Sequence, residues 1–497
     1  MNNKINFPET GAEFMVPLVC LVLASAGILA NAQGTSASQD KTSAQPVNRN
    51  LSDLTQQPAA AVPRPPAAAP DAKPQDWNFH LQNTEVVQGD FAFPAKYSGP
   101  GSLNNKGEVQ ETATLELFAG KRLGRGFEAH VDGLLWQGFG LSETEGIEAF
   151  PNGDAYKFGT GVPNFTFARL FIRKTIGFGG KQEDVPDDQL TLAGKQDISR
   201  LTITVGRFAV TDIVDNNTYA SDPHTQFLNW AMAGNLTWDY AADAVGYSPG
   251  IAFDYNQTNW ALRYGWSLLP SVQNGFTGDD ELLMYPVRGS FGPIFKEWAM
   301  YSEYERRYSI KHRPGKARFL AWLNEADMTS NREATAILLA NGPGANISTA
   351  QAYRFKYGFG LNFEQEVAKN VGVFSRLGWN DGLEQAWAYT DANTSASLGV
   401  SINGGSWRRP GDTLGIVGEV SGASSSNQAY LAAGGAGILA ADGSLNYGPE
   451  QLVETYYNYQ IAKGMHITLD YQFVTNPAFN RDRGPVSIFG LRLHYAM

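Results

Sequence analysis

From Trp77 to the last residue, aromatic and aliphatic side chains recur at every second position in short runs. The clearest run is Phe355, Tyr357, Phe359, Leu361 and Phe363, interleaved with Arg354, Lys356, Gly358, Gly360, Asn362 and Glu364. Apolar residues fill one face and are absent from the other, a period of two that a strand satisfies and a helix does not. Trp260, Leu262, Tyr264 and Trp266 alternate in the same way with Ala261, Arg263 and Gly265. Ile467, Leu469, Tyr471 and Phe473 alternate with His466, Thr468, Asp470 and Gln472. The closing run sets Phe489, Leu491, Leu493, Tyr495 and Met497 against Ile488, Gly490, Arg492, His494 and Ala496. A chain patterned like this is all-β.

Which face meets water decides the class. In a soluble sandwich the apolar face is the core, whereas in a membrane barrel it meets lipid and the polar face lines a lumen. Three observations favour the barrel. Trp, Tyr and Phe crowd the apolar face near strand ends, as interfacial girdles do. The polar face alternates Gly or Ala with Arg, Lys or Glu, which suits a wet lumen. Charged residues are 18% of the 497, below the roughly 25% of soluble proteins. The mean hydropathy of −0.28 and a single long apolar run near the N-terminus exclude a helical membrane protein. One Cys excludes a disulfide scaffold, and 38 Lys+Arg against 49 Asp+Glu argues against a nucleic-acid binder. At roughly 10 residues per strand plus turns and loops, the stretch from Trp77 onward accommodates about 16 antiparallel transmembrane strands, with 18 possible.

Ahead of the strands, an apolar stretch from Met15 to Ala30 followed by Ala30-Asn31-Ala32 predicts a secretory signal over 1–32. Cys20 lies inside it, so cleavage leaves no Cys. Residues 33–75, rich in Ser, Gln, Ala and Pro, read as a disordered extension, and 76–497 as the barrel.

The stretches between the alternating runs are specific in type and order. Gln137-Gly-Phe-Gly-Leu141 leads to Ala149-Phe-Pro-Asn-Gly153, Phe167 to Arg173, and Gly206-Arg207. Asp215-Asn-Asn-Thr-Tyr-Ala220, Thr225 to Trp230, Glu364-Gln-Glu366 and Gly378-Trp-Asn-Asp-Gly382 follow. Trp407 to Asp412, Tyr447-Gly-Pro-Glu450, Glu454-Thr-Tyr-Tyr457 and Asn476 to Val486 complete the set. Together they resemble the OprB-type carbohydrate-selective porins of Gram-negative outer membranes, over about 140–497 with weaker support from 77. The resemblance implies a 16-stranded barrel admitting sugars such as glucose by passive diffusion, through a constriction lined by charged and aromatic side chains. Its partners would be small carbohydrates, outer-membrane lipid and the barrel-assembly machinery, which would engage the C-terminal strand. That strand ends in Met497, where such barrels commonly end in Phe. A monomer and a homotrimer both remain open.

Strand parity nominates the pore lining. Arg169 and Arg173 share a face with Phe167 and Phe171, while Arg207, Arg263, Arg354, Lys356, Arg376 and Arg492 stand opposite apolar partners. Glu303, Glu305 and Arg307 stand opposite Trp298, Met300 and Tyr304. Trp322 shares a face with Arg318, where it is either a stacking platform or a girdle residue displaced by a slip of parity. On this count the lumen is basic and the acidic excess sits in loops. Ser330 to Leu339 lacks alternation and reads as a short helix stopped by Asn341-Gly-Pro-Gly344; folded inward it would narrow the pore and cover Ile337, Leu338 and Leu339.

Competing chemistry is scarce. There is no Gly-x-Ser-x-Gly, His-Glu-x-x-His or Gly-Lys-Ser/Thr signature, and no cofactor motif. Asp212, Asp215, Asn216, Asn217, Asp222 and His224 are oxygen-rich but lack EF-hand spacing, so a polar loop is expected rather than a cation site. A secreted glycoside hydrolase and a purely structural barrel are the alternative functions.

Overall fold

The structure is a computed structural model that describes residues 74–275 and 291–497. The expected signal segment and nearly all of the 33–75 extension lie outside the described residues.

Sixteen strands close into one antiparallel barrel. They are β1 (Trp77–Phe91), β2 (Gly107–Gly124), β3 (Phe127–Gly138), β4 (Thr160–Gly177), β7 (Arg200–Phe208), β8 (Ser248–Asn256), β9 (Trp260–Leu268) and β10 (Trp298–Ile310), followed by β11 (Arg313–Thr329), β12 (Gln351–Ala368), β13 (Val371–Asn380), β14 (Thr394–Asn403), β15 (Thr413–Gly422), β16 (Glu450–Ala462), β17 (Met465–Thr475) and β18 (Val486–Ala496). A separate hairpin of β5 (Gln182–Val185) and β6 (Gly194–Asp197) interrupts the series, so β4 pairs with β7. β18 closes the barrel on β1, with Leu493 opposite Glu85 and Leu491 opposite Val87.

The alternation places the side chains. On β12, Phe355, Phe359 and Phe363 point outward at 55%, 42% and 38% exposure, while Lys356, Asn362 and Glu364 point inward and are buried. Outward rings stack along the wall, as Phe319, Phe359 and Trp379 do across β11–β13. A wall with its apolar face outward suits lipid, not water. The large buried apolar cluster, including Phe150, Phe227, Trp230 and Tyr389, is built mostly from connecting segments folded inside the barrel.

The two barrel ends differ. At one end the connections are short, as at 125–126, 257–259, 311–312, 369–370 and 463–464. Lys311 and His312 both take positive φ there, as a two-residue turn of type I′ needs. The hairpin-bearing connection 178–199 is the long exception at that end. At the other end every connection is longer, including 139–159, 209–247 and 423–449. Among the described residues three short α-helices punctuate these: α1 (Trp230–Ala233), α2 (Asn331–Asn341) and α3 (Ser425–Ala432).

The helix foreseen at Ser330 is α2, with the Ser330 hydroxyl accepting from the Glu333 amide and Gly342 ending it at φ 93°. It packs against α3 and lines neither of the two cavities found in the lumen. Leu338 is covered in the cluster that holds Tyr430 and Leu431, and Leu339 stays 74% exposed. The cover expected from folding inward comes in part from this second helix, through Tyr430 and Leu431.

Candidate pore and its constriction

The inward wall is lined by ion pairs that the strand register sets side by side. Arg263 stands opposite Asp254 on one neighbour and Glu303 on the other, and bonds them at 3.0 and 2.6 Å. Glu305 stands opposite Arg318 and takes its Nε at 2.8 Å, with Arg307 Nε at 2.6 Å. Lys316 opposes Glu364 at 3.3 Å, and Arg318 reaches the same carboxylate at 3.2 Å. Further round, Arg169 opposes Asp132 at 2.8 Å and grips Asp212 with two nitrogens at 2.7 and 3.0 Å. Direct cross-strand pairs of opposite charge are the favourable arrangement on a sheet face. The expectation of a basic lumen is corrected here: parity identifies which residues point inward, but register sets a carboxylate on the next strand opposite Arg169, Arg263, Arg318 and Lys316.

The segment 209–247 leaves β7 and fills the lumen. Its Asp, Asn and backbone groups find partners all round the wall, which lets a polar segment be buried without orphaned hydrogen bonds. The Asp215 amide donates to Glu303 at 2.6 Å, and its carboxylate takes Asn362 Nδ2 at 2.8 Å and Arg376 Nε at 3.2 Å. Thr218 N donates to Glu364 at 2.8 Å and Leu228 N to Glu454 at 2.6 Å. Asn229, which caps α1, reaches Gln472 at 2.9 Å, and Asp243 takes Arg207 at 2.5 Å. Asp239 accepts the amides of Trp387 and Ala388 at 2.8 and 2.7 Å. Phe227, Trp230 and Trp238 supply the apolar area that holds the segment in place.

Two cavities of about 150 and 200 Å³ flank this segment. The first is edged by Arg173, Arg263, Lys316, Arg318, Asp254 and Glu305. The second is edged by Arg169, Lys157 and Asp154 and by the rings of Tyr156, Trp230, Tyr240, Tyr247 and Tyr389. Asp212, Asn216, Ser221 and Asp222 line both, so they form the neck between them. Tyr247 lies under two guanidinium groups, 5.1 Å from Arg169 and 5.7 Å from Arg207.

Asp154 and His224 are two of the titratable groups of the second cavity. Burial pushes the Asp154 carboxyl up to about 6, against the opposing pull of His224 and of the Thr114 and Thr112 hydroxyls. Burial also opposes charge on Asp222 and His224, yet their 2.9 Å contact holds Asp222 down at about 2 and lifts His224 to about 9. As pH falls through about 6, Asp154 is protonated and the cavity loses one negative charge while His224 stays positive. The potassium-over-chloride permeability ratio is expected to fall across that window in planar bilayers. Asp154→Asn should show the low-pH ratio at neutral pH and no step; a step of full size in that variant would assign the titration elsewhere.

The comparisons with known proteins agree with this architecture. The profile described as "Carbohydrate-selective porin, OprB family" matches residues 101–497. The chain belongs to the OprB family. Among solved structures, the high-pH structure of Pseudomonas putida OprB matches with a TM-score of 0.63 and 15% identity, covering 85% of this chain and 94% of that one. The outer membrane channel DcaP of Acinetobacter baumannii matches with a TM-score of 0.44 and 10% identity, over 85% of this chain and 97% of that one. At such identities the likeness to OprB shows the fold alone. Comparison with curated protein sequences finds no match. The family and fold are those of a channel, so this OprB-family porin is not an enzyme.

Of the side chains nominated by parity, the OprB-family porin sets Arg173, Arg263 and Glu305 at the first cavity and Arg169 at the second. The others point inward but hold structure. Glu303 and Arg376 fasten Asp215, Arg207 fastens Asp243, and Lys356 lies 3.7 Å from Asp239. Arg492 donates to the Pro223 carbonyl and to Thr468, Arg307 is bound by Glu305 and Asn256, and Arg354 reaches Glu333 of α2 at 2.8 Å. Trp322 faces inward without forming a stacking platform. It lies over Gly358, where a Cβ would meet its ring at 2.6 Å, and is sealed in a cluster with Trp238, Tyr301 and Trp387.

Parity failed at two strands. A bulge between Phe167 and Arg169 turns Phe167 outward, at 39% exposure, while Arg169 and Phe171 face in. At Gly206, φ 140° helps turn Arg207 inward although Val205 points out, and a Cβ there would lie 2.3 Å from the Leu170 carbonyl. The residues missed from sequence are the carboxylate partners Asp132, Asp243 and Asp254 and the ring of Tyr247; the register, which a single strand does not reveal, identifies Asp132 and Asp254, and the inward path of segment 209–247 identifies Asp243. The oxygen-rich run from Asp212 to His224 is drawn apart by Arg169, Arg376 and His224 itself, and no group of three acidic, His or Cys side chains is placed to hold a metal among the described residues.

Proposed function

We propose that this chain is an outer-membrane porin through which small neutral sugars such as glucose diffuse passively, with the short-turn end toward the periplasm, as is general for such barrels. The observation that carries the reading is the self-paired lumen. Each guanidinium at the neck and in the belt from Asp254 to Glu364 is matched by a carboxylate within about 3 Å, so the path offers many hydrogen-bond donors and acceptors with little net charge. A hydroxyl-rich neutral solute can exchange water for such groups at low cost, and the five rings of the second cavity offer faces for its C–H groups. Contacts of this kind stay weak, which conduction requires. Lipid against the outward aromatic wall, delivery through β18, and a monomeric or trimeric state belong to the same proposal.

Liposome swelling tests it. Proteoliposomes are expected to swell in isotonic glucose well above empty vesicles and progressively more slowly with larger oligosaccharides. Swelling no faster than in empty vesicles would leave a structural barrel as the function.

A further inference from the structure

We propose that Asn216 is the side chain to which a passing sugar hydrogen-bonds at the neck between the two cavities; this rests on the sugar-porin reading above. The neck is made by Asp212, Asn216, Ser221 and Asp222. Three of the four have their polar atoms engaged within the protein. Asp212 is gripped by Arg169 Nε and Nη2 at 2.7 and 3.0 Å and by the Ala209 amide at 3.2 Å. The Ser221 hydroxyl donates to the Ala220 carbonyl at 2.7 Å and accepts from Asn217 N at 2.8 Å and Arg376 Nη2 at 3.1 Å. Asp222 accepts from His224 N and Nδ1 at 3.0 and 2.9 Å and from Thr225 Oγ1 at 2.5 Å. The Asn216 amide has no partner among the described residues, although the residue is half-buried and touches both cavities.

Its backbone, by contrast, is fixed on both sides. Asp215 takes φ 60°, a left-handed conformation that a non-glycine residue holds at a cost unless its surroundings impose it. Here they do: Glu303, Asn362, Asn235 and Arg376 all bond Asp215. On the far side Asn217 Nδ2 donates to Asn362 at 2.7 Å, and the Asn216 carbonyl itself takes Asn362 Nδ2 at 3.3 Å. A free amide on a clamped backbone is pre-organised, so little ordering entropy is lost when it binds. An amide offers two donors and a carbonyl acceptor, and adjacent sugar hydroxyls present the matching donor–acceptor pair.

The test uses the full barrel in planar bilayers and proteoliposomes, with glucose as the probe. Asn216→Ala widens the neck while removing the amide. Because the amide bonds nothing among the described residues, the variant is expected to fold, which heat-modifiable gel migration checks, and Asn216→Gln provides the conservative control. In the Ala variant the half-saturating glucose concentration should rise about three- to tenfold, the cost of one or two neutral hydrogen bonds. Ion conductance should rise or hold, and the Gln variant should recover much of the glucose affinity. A purely steric role predicts the opposite for the Ala variant, glucose flux and ion conductance increasing together with unchanged half-saturation, and that result would overturn the assignment. If the unaltered protein shows no saturable glucose flux, the sugar reading itself fails and this inference goes with it.

Discussion

In an Arg376→Met variant the 209–247 segment should come loose from the wall, raising single-channel conductance severalfold and erasing discrimination between glucose and larger oligosaccharides. Arg376 is buried on β13 and holds the segment at four points: the Asp215 carboxylate at 3.2 Å, the Asp215 carbonyl at 2.9 Å, the Met232 carbonyl at 3.0 Å and Ser221 Oγ at 3.1 Å. Methionine fills most of the volume but strands the Asp215 carboxylate, and breaking a buried pair from one side costs about 3–5 kcal/mol. The barrel does not bear that cost. The sheet bonds of β13 to β12 and β14 are made by the backbone and survive the change. The penalty therefore falls on the docking of the segment, whose release uncovers the lumen. Arg376→Lys keeps the charge without the fork and should lie between. Conductance traces with an unchanged mean, beside normal heat-modifiability, would mean that Trp230, Trp238 and the Glu454 and Gln472 contacts hold the segment by themselves.

The wall was readable from sequence because one physical demand, apolar out and polar in, acts on every residue of a strand. It failed where a local irregularity changes the count, as at the bulge that turns Phe167 outward and at Gly206. The contents of the lumen were much less readable. Asp215 to Ala220 and Thr225 to Trp230 stood out as specific, yet their partners Arg376, Glu454 and Gln472 lie more than a hundred residues away. One signal was present and unused. A connection of this length carrying Trp230 and Trp238 has to bury them, and in a barrel whose apolar face is turned outward the lumen is where cover exists. α2 shows the same lesson reversed: its need for cover was read correctly, but Tyr430 and Leu431 came from a helix that period-two reasoning did not reveal.

Glu305→Gln should turn the pore toward anions. Glu305 is 3% exposed and is shared by three guanidinium groups, with Arg307 Nε at 2.6 Å, Arg318 Nε at 2.8 Å and Arg263 Nη1 at 3.3 Å. Glutamine keeps the shape but removes the charge, and its NH₂ adds a donor where three donors already converge. Glu303, Asp254 and Glu364 cannot absorb the excess, since Arg263, Arg318 and Lys316 already engage them. The first cavity therefore gains one net positive charge. A unit charge about 8 Å from the path at an effective dielectric of about 20 changes an ion's energy by roughly 2 kcal/mol. The chloride-to-potassium permeability ratio, read from the reversal potential in a salt gradient, should accordingly rise about tenfold or more. Gluconate should enter proteoliposomes faster, while glucose, being neutral, changes less. Adding Arg318→Gln restores the balance and should return the ratio most of the way, which a general loosening of the wall would not. A ratio that ignores the single change would show that the belt from Asp254 to Glu364 braces the barrel without shaping the potential along the path.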